Sequence, residues 1–306
     1  MRVLITGGAG YVGTVLTKNL VNYPEINKII IYDNLSRKNS NLFLGDRMPN
    51  AEKVELVHGD ILDLRKLNKV LKDVDVVFHL AARVSTPFAN VDADFHEQVN
   101  HWGTAELVSA VEESNVEKFI FTSSTSVYGA SDGYIDENQI PDPKSFYGIS
   151  KLRGEEHVRR LQKKMNALIL RCANVYGYSR SMRFDAVINR FMFDANFSKR
   201  IQIHGNGKQH RAFVHVSVLI KALIGCLFGS VPTGTYNIVD KNLEILDVVD
   251  VLKEIYPTLE FLFINQHLDL KQMKVDRNSA LREFVDFENQ LTLKDELLDF
   301  KERFSF

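Results

Sequence analysis

The chain is predicted to fold as an α/β protein: a doubly wound parallel sheet covered by helices on both faces, with a smaller mixed α/β part attached. Three observations predict it. Short continuous apolar runs alternate with helical stretches through the first half of the 306 residues, as strands buried on both faces do. A glycine-rich turn joins the first run to the first helix. Polar residues of chemical interest follow the ends of the runs, where ligands sit in such sheets.

The first strand is Val3-Leu4-Ile5-Thr6, and helical periodicity begins after Gly10. Between them lie Gly7, Gly8, Gly10 and Gly13, a GxxGxxG spacing one residue longer than the GxGxxG dinucleotide fingerprint. Glycine suits such positions because the turn is tight, a pyrophosphate must approach the backbone, and the helix packs close to the strand. The helix start at Tyr11 and Val12 then offers N–H groups and a favourable dipole to phosphate.

The second strand, Lys28–Asp33, ends in an acid twenty residues after Gly13. A carboxylate there accepts hydrogen bonds from ribose hydroxyls and repels a 2′-phosphate. Asp33, with Asn34 beside it, therefore argues for NAD over NADP, while Arg37 pulls the other way. The third strand, Val54–Val57, leads into Asp60 and Ile61, which are placed to meet adenine. Asp60 reads equally well as a helix-entry aspartate before a helix over Asp63–Leu71.

The fourth strand, Val74–Leu80, contains His79, read as a core histidine, and runs on through Ala81 and Ala82 to Ser85. Small residues at Leu80-Ala81-Ala82 let a flat cofactor lie against the backbone. A helix over Asp92–Ser114 precedes the fifth strand, Lys118–Thr122, and then Ser123-Ser124-Thr125-Ser126-Val127-Tyr128-Gly129. A hydroxyl there could orient a substrate hydroxyl, and pattern alone does not choose among Ser123, Ser124 and Thr125.

The next helix, Tyr147–Lys164, places Tyr147 and Lys151 four residues apart on one face. The Lys151 ammonium is expected near the phenol, lowering its pKa as a tyrosine base requires. By itself the spacing favours a surface pair, and the rest of the chain overturns that reading. A strand over Leu168–Arg171 closes the first half.

Beyond Gly177 the order is mixed. Helices are expected over Phe184–Phe197, Val216–Phe228, Ile245–Tyr256, Asn278–Phe284 and Thr292–Arg303. Strands are expected over Ile201–Ile203, Ala212–His215, Thr235–Val239 and Glu260–Ile264. The division that follows is a dinucleotide-binding domain over 1–176, rejoined by about 209–240, and a substrate-binding cap over 177–208 and 241–306.

Composition bounds the rest. A net charge of −1 gives no bulk attraction to nucleic acid or membrane. Cys172 and Cys226 lack metal or disulfide spacing and read as buried thiols in a reducing compartment. No metal site is expected. The first strand starts at residue 3 and no apolar run is long enough to span a bilayer, so the expected location is cytoplasmic.

Several motifs stand together in one order: the glycine turn, Asp33, His79-Leu80-Ala81-Ala82, Asn100 in Gln98-Val99-Asn100, Ser123-Ser124-x-x-Val127-Tyr128-Gly129 and Tyr147-x-x-x-Lys151. Arg171-Cys172-Ala173-Asn174-Val175-Tyr176-Gly177 and Arg211-Ala212-Phe213-Val214-His215 follow. Together they resemble the extended short-chain dehydrogenase/reductase family, in its nucleotide-sugar epimerase/dehydratase branch, over nearly the whole chain. The resemblance implies a Rossmann sheet, an NAD cofactor, a nucleotide-diphosphate sugar substrate and a homodimer through the helices at Asp92–Ser114 and Tyr147–Lys164. It implies Ser124 as the catalytic hydroxyl, Tyr147 as acid/base, and Lys151 as ligand of the nicotinamide ribose. Asn100 joins the cofactor-binding set. Ser85, Asn174, Arg183 and Arg211 join Ser124 and Tyr147 in the substrate-binding set.

Departures narrow the chemistry. Related 4,6-dehydratases carry Asp-Glu after the catalytic Ser/Thr, where this chain has Thr125-Ser126. The decarboxylating branch has a glutamate where Ser126 stands, and the cysteine base of the 3,5-epimerase-reductases is missing. Reversible oxidation of one hydroxyl remains, at C4 of a hexose. The alternatives are a one-way dehydrogenase or 4-ketoreductase and a non-catalytic dinucleotide-binding regulator. Gln266 stands where relatives have a substrate arginine, leaving His267, Lys271 or the Ser179–Asp185 segment to replace it.

Overall fold

The computed structural model describes all residues except 39, 46, 85–91, 132 and 266–271. In chain order its elements begin with β1 (Arg2–Thr6), α1 (Tyr11–Leu20), β2 (Lys28–Asp33), β3 (Val54–His58), α2 (Leu64–Val70) and β4 (Val76–His79). Next come α3 (Ala93–His96), a π-helical stretch (Glu97–Trp102), α4 (Gly103–Glu112), β5 (Lys118–Ser124), β6 (Tyr134–Ile135), α5 (Phe146–Leu161), β7 (Asn166–Cys172) and β8 (Asn174–Tyr176). The remainder is α6 (Val187–Phe197), β9 (Arg200–His204), β10 (His210–His215), α7 (Val216–Phe228), β11 (Gly234–Ile238), β12 (Lys241–Glu244), α8 (Ile245–Ile255), β13 (Glu260–Ile264), β14 (Lys274–Val275) and α9 (Leu293–Lys301).

Seven strands form one parallel sheet in the order β11-β7-β5-β4-β1-β2-β3. Their apolar residues divide by parity, as strand geometry requires. Val3, Ile5, Ile29, Ile31, Ile120, Leu168 and Leu170 face a core built with α1 and α7. Leu4, Ile30, Phe119, Phe121, Ala167 and Ile169 face a second core built with α2, α4 and α5. Both cores are sealed, which is why these strands read as unbroken apolar runs. A third cluster joins α6, α8 and α9 to β9 and β10.

The doubly wound parallel sheet expected from the sequence is the one observed. The strand Gly234–Ile238 returns to it beside β7. Four short strands escaped prediction: β8 and β12, which flank β10 in a separate three-stranded sheet, and β6 and β14, which pair with each other. Lys241–Glu244 has no alternation to reveal it, because all four residues are half-buried. The helix expected over Asn278–Phe284 is only a 3-10 turn at Ala280–Glu283.

Candidate active site

The carboxyl ends of β1, β4, β5 and β7 bring the predicted residues to one edge. Thr6 lies in register with His79 across the β1–β4 pair, and Ser124 with Cys172 across β5–β7. His79 is fully buried, bonded through Nδ1 to Thr6 Oγ1 at 2.7 Å and through Nε2 to Thr104 Oγ1 at 2.9 Å. Burial holds its imidazole neutral, well below the usual histidine range. The core reading of His79 stands.

The glycine turn is built for contact with backbone. Gly7 has φ +70°, and a Cβ there would lie 2.7 Å from the backbone of Ala81. A Cβ at Gly13 would lie 2.6 Å from the Gly7 carbonyl oxygen. At Gly10 the neighbour of such a Cβ among the described residues is that same oxygen, at 3.1 Å. Gly10 caps α1 without a side-chain hydrogen bond, leaving the helix start available to phosphate oxygens. Val12 packs against the first core. Tyr11 turns inward and donates from its phenol to the Gly177 carbonyl at 2.6 Å, tying the turn to the loop after β8.

Asp33 accepts from Ala9 N–H at 3.0 Å and Leu35 N–H at 2.8 Å, so its carboxylate stands over the turn. Asn34 donates to Asp60 at 2.9 Å, and Ile61 is buried beside Gly103. The helix-entry role falls to Asp63, which caps α2, while Asp60 caps its own turn through Leu62 N–H. Leu80 N–H and Ala81 N–H donate to Thr6, and Ala82 continues this half-buried floor. Arg37 pairs with Asp185 at 3.5 Å. The arrangement fits a dinucleotide: an uncapped helix start and an acid at the end of β2.

Next along the edge, Ser145 caps α5 by accepting from Gly148 N–H at 3.1 Å, placing Tyr147 in the first turn. A Cβ at Gly148 would lie 2.5 Å from the Ser126 carbonyl oxygen, so the helix start packs directly on the segment after β5. That close approach sets the Ser124 hydroxyl near enough to the Tyr147 phenol to act on its ionisation. Of the three hydroxyls left open by pattern, Ser123 instead donates to Glu155 at 2.6 Å, and Thr125 is buried.

One electrostatic expectation is corrected. Burial pushes the Tyr147 phenol above its ordinary pKa, and the opposing influences are the Arg183 charge and the Ser124 hydroxyl. The Lys151 ammonium is not among them; it lies over the Phe121 ring, 4.2 Å from the centroid. Desolvation wins because the helix face that aligns the pair is also the buried face. The same burial pulls the Lys151 pKa down to about 8.

Asn100 is fully buried in the π-helical stretch, accepting from Arg83 N–H and donating to the Arg83 carbonyl and to Ser150 Oγ. Its amide thus holds the segment after β4 against α5. Asn174 donates to the Ala212 carbonyl at 2.9 Å, and Arg211 to the His210 carbonyl at 2.8 Å, both near the β8–β10 pair. Arg183 bonds Asp185 at 3.1 Å. Ser85, Gln266, His267 and Lys271 lie outside the described residues. Among the described residues no cluster of side chains suits a metal ion.

A model of the NAD dependent epimerase/dehydratase family matches residues 3–238. The chain belongs to that family. It is 32% identical over 300 residues to the human dTDP-D-glucose 4,6-dehydratase, covering 96% of this chain and 80% of that one. It is 32% identical over 228 residues to a putative UDP-glucose 4-epimerase of Methanocaldococcus jannaschii, covering 72% and 71%. Its structure resembles that of the UDP-glucuronic acid 4-epimerase from Bacillus cereus, in complex with UDP-glucuronic acid and NAD. That match has a TM-score of 0.86 and 26% identity over 99% of this chain and 98% of the other. NAD is the cofactor of this family and of the chain.

A buried ion pair behind this site was not anticipated. Glu155 and Arg171 meet through two bonds, 2.9 and 2.7 Å, with both side chains almost wholly enclosed. Arg171 also lies over the Tyr128 ring at 4.7 Å. A signal existed: Glu155 follows Lys151 by four residues on the same helix face.

Proposed function

We propose that this protein is an NAD-dependent nucleotide-sugar epimerase acting at C4 of a hexose through a transient 4-keto sugar. The observation that carries the reading is the Ser124–Tyr147 pair at the end of β5, followed by Thr125 and Ser126 where a dehydratase needs an acid and a base. Bound NAD supplies the hydride acceptor and donor. The chain's residues move the proton and hold the sugar. Ser124 orients the C4 hydroxyl, and Tyr147 takes its proton and later returns it to the ketone oxygen. Arg183 and Ser124 favour the phenolate against burial. Lys151 holds the cofactor ribose, while Asn174, Arg183 and Arg211 contact the diphosphate sugar, for which guanidinium groups suit phosphate oxygens. Residues 177–208 and 241–306 form the substrate-binding cap.

The protein is further proposed to be a cytoplasmic homodimer. Its two cysteines are free and buried, and none of the described helices is long and apolar enough to cross a membrane. The face carrying exposed Phe95, Trp102 and Phe146 supports pairing through α3, α4 and α5. Sedimentation equilibrium reading a monomer mass would remove the dimer.

The functional test starts by denaturing the purified protein and identifying the nucleotide released. Stoichiometric NAD is expected, followed by interconversion of a C4 epimer pair among UDP-, GDP-, dTDP- and CDP-hexoses without net NADH. Accumulation of NADH, or release of water from the sugar, would overturn the epimerase reading.

A further inference from the structure

We propose that Glu155 is a positioning residue: it locks α5 to the ends of β5 and β7 and supplies the negative charge that balances the buried Lys151 ammonium. The inference rests on the reading of Tyr147 and Lys151 as the working pair, and it assigns a role to groups outside that pair.

The geometry is specific. Glu155 has no exposed surface and accepts four hydrogen bonds: from Ser123 Oγ at 2.6 Å, Arg171 Nε at 2.9 Å, Arg171 Nη2 at 2.7 Å and Arg159 Nη2 at 2.9 Å. Each buried partner stands one residue from the site. Ser123 precedes Ser124 in β5, and Arg171 precedes Cys172, which lies in register with Ser124. Glu155 sits one helical turn beyond Lys151. A shift of α5 along the sheet would break these bonds.

A buried ion pair is a weak device for stability alone, since well-packed apolar residues of similar volume hold a helix as well or better. The charge therefore has a second use, and Lys151 is its neighbour. Lys151 is 2% exposed. The groups around it are Tyr147 and Glu155 on its own helix, Cys172 from β7, His79 from β4 and the Phe121 ring from β5. Burial keeps His79 unprotonated and raises the Cys172 thiol to about 12, leaving both neutral near pH 7. Among the described residues acting on Lys151, Glu155 is the carboxylate that favours its charged form.

The test reads Lys151 directly, without substrate. In protein labelled with [13C]lysine, the Lys151 Cε resonance is assigned by its loss in Lys151→Arg and followed against pH. The wild-type midpoint is expected at about 8. Glu155→Gln leaves Arg171 buried and unpaired, so folding is protected by a second variant, Glu155→Leu with Arg171→Met, which removes both charges together. In folded Glu155→Gln, which loses the negative charge and keeps Arg171, the midpoint is expected to fall by about one pH unit, and the alkaline limb of turnover to move with it; in the double variant, where opposite charges leave together, it is expected to stay closer to the wild-type value. An unchanged midpoint in folded Glu155→Gln, or a full-unit fall in the double variant where no net charge is lost, would reduce the pair to a structural clamp and overturn the proposal. Absence of epimerase turnover in the wild type would instead count against the functional reading, leaving the titration interpretable.

Discussion

The glycine turn after β1 and the Ser124–Tyr147–Lys151 corner after β5 occupy the same end of one sheet, yet one is shaped by backbone and the other by titratable side chains. In the turn, Gly7 and Gly13 sit where an added Cβ would strike backbone. In the corner, Tyr147 and Lys151 carry pKa values moved by burial in opposite directions. The backbone region fails by gaining volume and is indifferent to pH. The side-chain region fails by losing a group, and its state depends on protons.

The hardest test of that contrast is Tyr147→Phe. It removes one oxygen and no packing, so the fold and NAD content are expected to persist while turnover drops roughly 10²–10⁴-fold. Steady-state rates beside the nucleotide content of the same preparation check it; unchanged turnover would dismiss Tyr147 as the acid/base.

Next in size is the pH dependence written into Lys151. Its pKa is about 8 in the folded protein against an ordinary 10.5. Between those values the unfolded chain binds more protons, so Lys151 makes stability rise with pH, by about 3 kcal/mol over the full window. Cys172 and Cys226, raised from 9.0 to about 12, act oppositely above pH 9. Denaturant melts of wild type minus Lys151→Met isolate the lysine contribution, which should grow from pH 8 to 10. A flat difference would mean that Lys151 is not desolvated as its enclosure implies.

Gly7→Ala attacks the other region. A φ of +70° and a Cβ 2.7 Å from Ala81 backbone are expected to cost about 2 kcal/mol and to empty the NAD site at every pH. Thermal melts and released nucleotide at pH 6 and pH 9 check both statements. Cofactor loss that varied with pH would blur the contrast.

The same contrast explains what the sequence made legible. Backbone requirements leave glycines, and sealed strands leave apolar runs, so the glycine turn and the parallel sheet were readable in advance. Ser124, Tyr147 and Lys151 were placed together through spacing and family resemblance. The sense of the Tyr147 shift was not, because i,i+4 spacing gives proximity along a helix but not the amount of water removed around it. Glu155 was missed for a related reason: a charged residue on a helix usually marks a solvated face, and its spacing from Lys151 does not say that it is enclosed against Arg171 of β7. Of the β8–β10–β12 sheet only β10 left a pattern, since half-buried strands such as Lys241–Glu244 do not alternate.

Asp33 belongs to both regions, so Asp33→Asn is the finest probe of the boundary between them. Its two carboxylate oxygens each hold a backbone N–H, from Ala9 and Leu35, and asparagine keeps only one acceptor. Losing one charge-assisted bond at this half-exposed position is expected to remove about 1 kcal/mol of stability. Without the charge, the bar against a 2′-phosphate weakens. NADH affinity should therefore fall roughly tenfold while NADPH affinity rises, both read by fluorescence titration of nucleotide-free protein. If both affinities fell equally, Asp33 would serve only to shape the turn, and the acid would belong wholly to the backbone region.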